Sequence, residues 1–187
     1  MKNNKNLSKN QSFNTKDTAM KKLTILIAIL LVVGFSTNAF AQQTATASTT
    51  ATIVTPIGIT KTVDMVFGNI ATNGAVGTVV LTTAGTRTST GGVTLPAASG
   101  SPTAASFAVT GSGTYTYTIT LPASPITLAG TTAGVTVGTF VSNPAATGAL
   151  TAGAQTVLVG ATLNLPVSVV AGSYTNAAGL TVTVNYN

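Results

Sequence analysis

The run TYTYTITL, residues Thr114 to Leu121, decides the fold that this sequence predicts. Every second residue is large and apolar or aromatic, and every residue between them is threonine. A strict period of two with β-branched and aromatic residues is typical of a strand that buries one face. The final run of the chain repeats the pattern, because Leu180, Val182, Val184 and Tyr186 alternate with threonine and asparagine.

Short alternating runs also fill the region before and after this strand. They are Thr44 to Val54, Ile57 to Thr62, Gly77 to Thr83, Gly92 to Leu95, Ser106 to Thr110, Val135 to Val141, Gln155 to Val159 and Thr162 to Val167. Breakers such as Asn73-Gly74, Thr90-Gly91-Gly92 and Gly111-Ser112-Gly113 separate them. Eight or more short strands with turn signals at this spacing favour an antiparallel sandwich or barrel. The sequence therefore predicts an all-β fold.

Residues 1–41 have the features of a cleaved signal peptide. Met20, Lys21 and Lys22 open it, an apolar run extends from Leu23 to Phe35, and Ala39 and Ala41 form an A-x-A site. Cleavage after Ala41 leaves residues 42–187 as a single β-sandwich domain, and Met20 is an alternative start of translation. The apolar run is about 13 residues long, whereas a spanning helix needs roughly 20. We therefore expect a secreted protein with no membrane anchor after cleavage.

The positive charge of the chain lies almost entirely in this leader. Of the formal net charge of +6, the six lysines and Asp17 within the first 22 residues account for nearly all. The remainder carries only Lys61, Asp64 and Arg87 as charged side chains. The basic balance therefore indicates export rather than a face that binds nucleic acid or an anionic membrane.

The residue types used by most catalytic and metal sites are missing from the sequence. It has no His, Cys, Trp or Glu. Without them, activated nucleophiles, general bases and zinc or calcium sites have too few groups to be built. We expect no catalytic residue, no metal site and no cofactor, and hence a protein that is not an enzyme.

The few charged and aromatic side chains give two local predictions, each with an alternative. Lys61 and Asp64 are three apart, so their pairing in a strand would require a bulge. Asp64 with Arg87 is the predicted structural ion pair, and a carboxylate-binding site at Arg87 is the alternative. The four tyrosines, at positions 115, 117, 174 and 186, are predicted to pack in the core with their hydroxyls at its rim; a glycan-binding face is the alternative.

Two segments are candidates for strand addition between chains. Along Thr44 to Ile53, the residues Ala45, Ala47, Ala51 and Ile53 fall on one face. This segment either forms the first strand of its own sheet or pairs with another copy. The C-terminal run with Leu180, Val182, Val184 and Tyr186 is predicted to be an edge strand. An exposed edge offers unpaired N–H and C=O groups that another chain can satisfy.

The order of several motifs resembles the secreted bacterial family of unknown function DUF4402. The motifs are Ile53-Val54-Thr55-Pro56, Asp64-Met65-Val66-Phe67-Gly68-Asn69-Ile70, Gly77-Thr78-Val79, Thr86-Arg87, Phe107-Ala108-Val109-Thr110-Gly111, Thr116-Tyr117-Thr118-Ile119, Gly160-Ala161-Thr162-Leu163 and Ala171-Gly172-Ser173-Tyr174, followed by Val182-Thr183-Val184-Asn185-Tyr186. The ending is also similar to the spore coat protein U and common-pilus fimbrillin families. These resemblances imply an immunoglobulin-like sandwich, export through a Gram-negative periplasm and assembly with a chaperone and usher.

Two classes of function follow from these observations. In the first, the protein is a structural subunit of a surface fibre or pilus-like assembly that associates with itself or related subunits by strand addition. In the second, it is a monomeric binding module, secreted or attached to the cell surface like an adhesin, whose loops contact a ligand. Near-neutral, threonine-rich surfaces lack like-charge repulsion, and this favours self-association.

Overall fold

The computed structural model describes residues 19–29, 42–177 and 179–187. Residues 19–29 form helix α1 within the predicted leader. The predicted cleavage site at Ala39 and Ala41 lies outside the described residues. Among the residues that are described, no helix is both long and apolar enough to cross a membrane. Residues 51–187 form one compact unit.

The described residues of this unit form ten strands, which confirms the predicted all-β class. They are β1 (Gly58–Val63), β2 (Ala71–Leu81), β3 (Arg87–Thr94), β4 (Ala105–Thr110), β5 (Thr116–Thr120), β6 (Ile126–Thr127), β7 (Thr136–Asn143), β8 (Thr147–Ala149), β9 (Ala154–Leu165) and β10 (Thr183–Tyr186). All pairings between them are antiparallel.

Strand β9 is the centre of a seven-stranded sheet. Its first half pairs with β4, its second half pairs with β2, and β7 pairs with residues in both halves. Since a strand has two edges, β4 and β2 follow one another along one edge of β9 and β7 occupies the other. Beyond them, β1 pairs with β4, β3 with β2 and β6 with β7.

A second sheet of three strands, in the order β10-β5-β8, packs on part of the large sheet. The first core lies between them and contains side chains from both sheets, including Phe107, Val157, Tyr117 and Val184. The alternation in β5 is as predicted, since Tyr117 and Ile119 are buried and the threonines between are exposed. The two layers confirm the predicted antiparallel sandwich.

A second core lies along the other half of β9. It contains Val79, Val135 and Leu163, and side chains outside the strands, such as Phe67 and Tyr174, pack against it. Because the small sheet does not extend this far, segments that connect strands supply much of the second layer here. Met65 and Phe140 pack against both cores and join them.

Within the described chain, the segment from Thr44 to Val54 does not form the predicted first strand of its own sheet. Residues 42–57 have no helix or strand conformation, and Ile53 is 96% exposed. Alternation alone does not make a strand, because a strand also needs a neighbour whose backbone groups complete the ladder. The side chains of this segment are mostly threonine and alanine, which bury little apolar area.

The other differences concern where strands begin and end. The breakers Asn73-Gly74 and Thr90-Gly91-Gly92 lie inside β2 and β3, where a register shift between Thr72 and Gly77 marks a bulge rather than a chain reversal. The two predicted runs on either side of Gly160 form one strand, β9. The short strands β6 and β8 were not predicted.

Candidate functional site at the open sheet edges

The C-terminal strand β10 is the outermost strand of the small sheet. Among the strands described, it pairs only with β5. Its own second edge therefore has no ladder partner within the described chain. An edge of this kind is a template for pairing with a further strand.

The hydrogen-bond pattern identifies the groups on that open edge. The amide of Asn187 donates to the carbonyl of Thr116 at 3.2 Å, so these two residues occupy a hydrogen-bonded position of the ladder. Hydrogen-bonded and non-bonded positions alternate along an antiparallel pair. Asn185 and Thr183 consequently bond to β5, and the N–H and C=O groups of Val184 and Tyr186 point away from it.

The four residues of the predicted edge strand do not all lie in it. Val184 and Tyr186 belong to β10, whereas Leu180 and Val182 precede its first residue, Thr183. Val182 and Val184 are buried in the first core, and Leu180 and Tyr186 pack against it. The side chains thus hold β10 in place by one face while its outer edge stays open.

Tyr186 links this strand to the segment that precedes β1. Its hydroxyl accepts a hydrogen bond from the amide of Ser112 at 2.7 Å and donates one to the carbonyl of Thr55 at 2.9 Å. A side chain at Gly111 would collide with this hydroxyl and with Leu150. The sequence pattern identified Tyr186 as an edge residue but not as a tether, because its two partners lie 74 and 131 positions away.

Residues 42–56, here called the N-terminal segment, include the four predicted strand-addition residues. Ala45, Ala47, Ala51 and Ile53 are all exposed. The next residue after the segment, Ile57, packs against the first core, and β1 begins at Gly58. The segment thus joins the sandwich beside Tyr186.

Strand β1 is also an outermost strand, because it pairs only with β4 among the described strands. Strands β1 and β10 contact each other across the sandwich. Ile59 of β1 and Tyr186 of β10 pack against the same core. The open edges of the two sheets therefore lie on the same side of the first core.

The predicted ion pair between Asp64 and Arg87 is not formed. Asp64 instead pairs with Lys61, with 2.5 Å between Nζ and Oδ1. A register shift in the β1–β4 ladder between Lys61 and Val63 supplies the bulge that this pairing requires. Both side chains are more than half exposed, at 56% and 73%. An exposed pair of this kind contributes little to stability.

Arg87 instead binds backbone carbonyls. Its Nη1 donates to the carbonyl oxygens of Phe67 and Asn69, the second at 3.0 Å. Asn69 in turn donates through its side chain to the carbonyl of Ala98 at 2.9 Å. The positive φ of Gly68, 71°, lets the chain turn between the two carbonyls. Arg87 therefore has a structural partner, and that partner is the loop between β1 and β2.

The tyrosines differ in exposure. Tyr117 is fully buried, and its hydroxyl donates to Oε1 of Gln155 at 2.6 Å. Burial raises the pKa of the Tyr117 phenol above its ordinary value of 10.0. Tyr174 is half-buried, and its hydroxyl donates to the carbonyl of Val170. Tyr115 is 48% exposed, and its ring lies 5.6 Å from that of Tyr186 in a tilted arrangement.

A cluster of three or more His, Cys, Asp or Glu side chains does not occur in the described part of the chain. What the geometry does bring together is backbone: an open edge on β10, the neighbouring edge of β1, and the N-terminal segment joining the sandwich at the same place. These features define an antiparallel β-sandwich with an open side.

Residues 57–186 match the model of the family described as Domain of unknown function (DUF4402), and the chain belongs to that family. The matched region starts at Ile57, so the N-terminal segment lies before it. Comparison with curated proteins found no match, and comparison with solved structures found none.

Proposed function

We propose that this protein is a secreted structural subunit of a surface fibre or pilus-like assembly. The N-terminal segment of one copy adds as a strand to the open edge of β10 in another copy. The observation that carries this proposal is the open edge itself, with the N–H and C=O groups of Val184 and Tyr186 directed outward.

The N-terminal segment has the properties of a strand donor. It contains alternating apolar residues, it has no ladder partner of its own among the described residues, and Ile53 is 96% exposed. A large aliphatic side chain left in water gains roughly 1.5–3 kcal/mol when it becomes fully buried. Insertion of this segment between β1 and β10 would bring Ile53 toward the first core.

We also propose how the subunit is exported and how its open edge is protected before assembly. The charge pattern of the leader supports secretion through a periplasm. Until assembly, an unpaired edge exposes the subunit to premature association. A periplasmic chaperone and an usher are the partners that would cover the edge and release it in order. This part of the proposal follows from the resemblance to fimbrillin families that the sequence motifs of the chain ending suggest.

Deletion of residues 44–54 from the full chain tests the role of the segment. The exported product is recovered from a Gram-negative host and examined by size-exclusion chromatography with light scattering and by electron microscopy. We expect wild-type protein to form high-mass filaments that resist denaturant, and the deletion to leave single copies. Filaments of the deletion variant equal to wild type would contradict the proposal.

A point substitution separates strand addition from a general effect of shortening the chain. Ile53→Asp places a charge on the face that would be buried, whereas Thr52→Asp places the same charge one residue away, on the opposite face of an extended strand. We expect assembly to be lost in the first variant and retained in the second. A synthetic peptide of residues 42–56 should also compete with wild-type assembly.

A monomeric binding module is the second candidate function, and the exposed ring of Tyr115 is the observation that favours it. Exposed aromatic rings with a hydroxyl are suited to contacts with partly polar ligands. If the wild-type product is a single compact species, binding of a panel of immobilised glycans by wild type and Tyr115→Ala tests this function. Equal binding by both proteins would exclude Tyr115 as the contact.

A further inference from the structure

The two ends of β9 mark two opposite poles of the sandwich. At its first residue, Ala154, lie the end of β4, the starts of β1 and β5, and the end of β10. The exposed Tyr115 and the tether between Tyr186 and Thr55 are also found here. We call this end the tyrosine pole. The N-terminal segment joins the sandwich at this pole.

The other end of β9 carries a group of exposed apolar side chains. Val76, Val167 and Val170 are 59%, 61% and 53% exposed. Val76 lies in the bulged part of β2, next to Gly77, which pairs with Leu165 at the end of β9. We call this end the valine pole.

Hydrogen bonds hold these three valines in one region. The amide of Ser168 donates to the carbonyl of Gly74 at 2.8 Å, which places Val167 beside the bulge that contains Val76. The amide of Val170 donates to Oγ1 of Thr132 at 2.9 Å. Gly134 belongs to the same turn as Thr132 and lies next to Pro166, because a Cβ atom at Gly134 would be 3.6 Å from the Pro166 ring. Pro166 directly precedes Val167, so this turn places Val170 near Val167.

The direction of the strands decides where a donor copy would lie. Strand β10 runs toward the tyrosine pole, since its last residue, Tyr186, pairs with Tyr117 near the start of β5. All ladders of this fold are antiparallel, and antiparallel pairing is slightly more stable per residue than parallel pairing. A donor segment antiparallel to β10 therefore runs toward the valine pole of the acceptor.

The length of the segment fits this path. Fifteen residues in strand conformation span about 50 Å, and the twelve residues of β9 span about 40 Å. A donor segment that starts near the acceptor's tyrosine pole can thus reach past its valine pole. The sandwich of the donor copy, which follows directly after residue 56, then lies against that end.

We propose that the valine pole of one copy is the docking surface for the tyrosine pole of the next copy. This inference rests on the proposed function, because strand addition is what brings the two poles together. Successive copies then make a head-to-tail contact, in which two different surfaces meet and the assembly grows as a filament. Tyr115 of the donor packs against Val76, Val167 and Val170 of the acceptor.

The chemistry of the two surfaces is compatible with this contact. The charged side chains of residues 51–187 are Lys61, Asp64 and Arg87, which belong to the middle part of β1, the loop after it and the start of β3. Neither pole therefore carries a charged side chain. Contiguous exposed apolar groups mark interaction surfaces, and an aromatic ring on small aliphatic side chains is a suitable pairing.

Val167→Asp tests the contact, and Val141→Asp is its matched control. Val141 is 48% exposed but lies in β7 opposite Gly160, in the middle of β9. We expect Val167→Asp to reduce filament length at least tenfold at equal protein concentration, and Val141→Asp to leave filament length unchanged. Both variants are also checked for an unchanged melting temperature, so that loss of folding is recognised.

A pair of opposite charges across the proposed contact gives a second test. Recovery of filaments in the double variant could not result from loss of folding stability. We expect Tyr115→Arg alone to shorten filaments, and the double variant Tyr115→Arg with Val167→Asp to recover them, because opposite charges then face each other. Mixed into wild type, Val167→Asp should stop growth at one filament end only.

The outcomes separate this inference from the proposed function. If deletion of residues 44–54 abolishes filaments while Val167→Asp assembles like wild type, strand addition stands and the docking of the two poles is overturned. If the deletion variant still forms filaments, the proposed function fails. If Val167→Asp shortens the filaments of that deletion variant, the contact between the two poles exists without strand addition.

Discussion

Arg87 shows how a single side chain fixes a connection that the strands alone leave open. The loop between β1 and β2 turns its carbonyl groups at Phe67 and Asn69 toward one half-buried guanidinium. A planar cation with several N–H donors can satisfy two carbonyls at once, which a lysine ammonium does less well. The Asp64-to-Ile70 motif of the sequence thus has a structural purpose, because it places these carbonyls where Arg87 reaches them.

Replacement of Arg87 is expected to destabilise the sandwich. Arg87→Met keeps an aliphatic stem but leaves both carbonyls without this donor, and a hydrogen bond to a charged group contributes about 1.5–3 kcal/mol. Because Arg87 is partly exposed, we expect the free energy of unfolding to fall by about 2 kcal/mol in urea titration. Lys61→Met, which removes only the exposed ion pair, should cost about 1 kcal/mol or less. Equal effects of the two substitutions would contradict this role for Arg87.

Tyr117 is expected to make stability depend on alkaline pH. Because burial raises the pKa of its phenol above 10.0 in the folded protein, the unfolded chain loses this proton first as the pH rises. The contribution of the neutral phenol is therefore complete below pH 10 and is lost as the pH rises through the folded-state pKa.

The measurement is urea unfolding of wild type and Tyr117→Phe between pH 8 and 11. Tyr117→Phe should be less stable by about 1 kcal/mol at pH 8, because the hydrogen bond to Gln155 is lost. The difference between the two proteins should shrink above pH 10, since only wild type carries this titrating group. A difference that stays constant with pH would show that Tyr117 titrates alike in both states.

At the scale of elements, sequence patterns predict strands well where one face is buried. The alternation of Thr114 to Leu121 predicts β5 because its apolar side chains enter the first core. The same alternation in Thr44 to Val54 predicts a strand that the described chain does not form, since no neighbouring strand completes its ladder. Pairing partners are distant in sequence, and a local pattern contains no information about them.

The edge position of β10 likewise depends on strand pairing that a local sequence pattern does not contain. The C-terminal pattern predicts a strand, but its edge position depends on which strands pair, and only the topology gives that. The Asp64–Arg87 pair was predicted because the chain offers few opposite charges. The bulge after Lys61 decides otherwise, because it turns Lys61 and Asp64 toward each other.

Substitution of Gly160 tests how closely the backbones of β9 and the end of β2 approach each other at the centre of the large sheet. A side chain there would collide with the backbone of Leu81 and Thr82. Backbone cannot move aside as a flexible side chain can, so we expect Gly160→Ala to cost about 2–3 kcal/mol, as overpacking does. Gly74→Ala has a positive φ of 88° but open space around it, and should cost about 1–2 kcal/mol. Equal melting temperatures of Gly160→Ala and wild type would show that the sheet adjusts freely.

A charge placed on β10 tests whether its outer edge accepts another strand. Asn185 is exposed on the outer face of β10, and Thr120 is exposed on the same face of the central strand β5, at the end away from the tyrosine pole. Charged side chains on edge strands discourage the addition of another strand. We therefore expect Asn185→Lys to slow the proposed filament formation and Thr120→Lys to leave its rate near that of wild type, as followed by light scattering. If both variants assemble alike, the open edge of β10 is not the acceptor of the proposed strand addition.

At the scale of the whole sandwich, β9 makes two cores into one structure. Its first half contributes Val157 and Val159 to the first core, and its second half contributes Ala161 and Leu163 to the second. A continuous strand cannot lose one half of its pairing without disturbing the other. Residues 51–187 are thus expected to behave as one folding unit despite the uneven second layer.

Cooperative unfolding is the measurable consequence of this arrangement. Small single domains usually unfold in one transition, and here Met65 and Phe140 add side-chain contacts between the cores. Val157→Ala removes volume from the first core and Leu163→Ala from the second. A buried Leu→Ala costs about 2–5 kcal/mol, and the smaller Val→Ala somewhat less. We expect each substitution to move the whole transition, with far-ultraviolet circular dichroism and the near-ultraviolet signal of the tyrosines following one curve.

Tyr117 reports on the first core and Tyr174 on the second, so separate curves after Leu163→Ala would show that the cores unfold independently. The matched exposed substitution Val141→Ala should leave the transition in place, because that side chain faces solvent and bridges neither core.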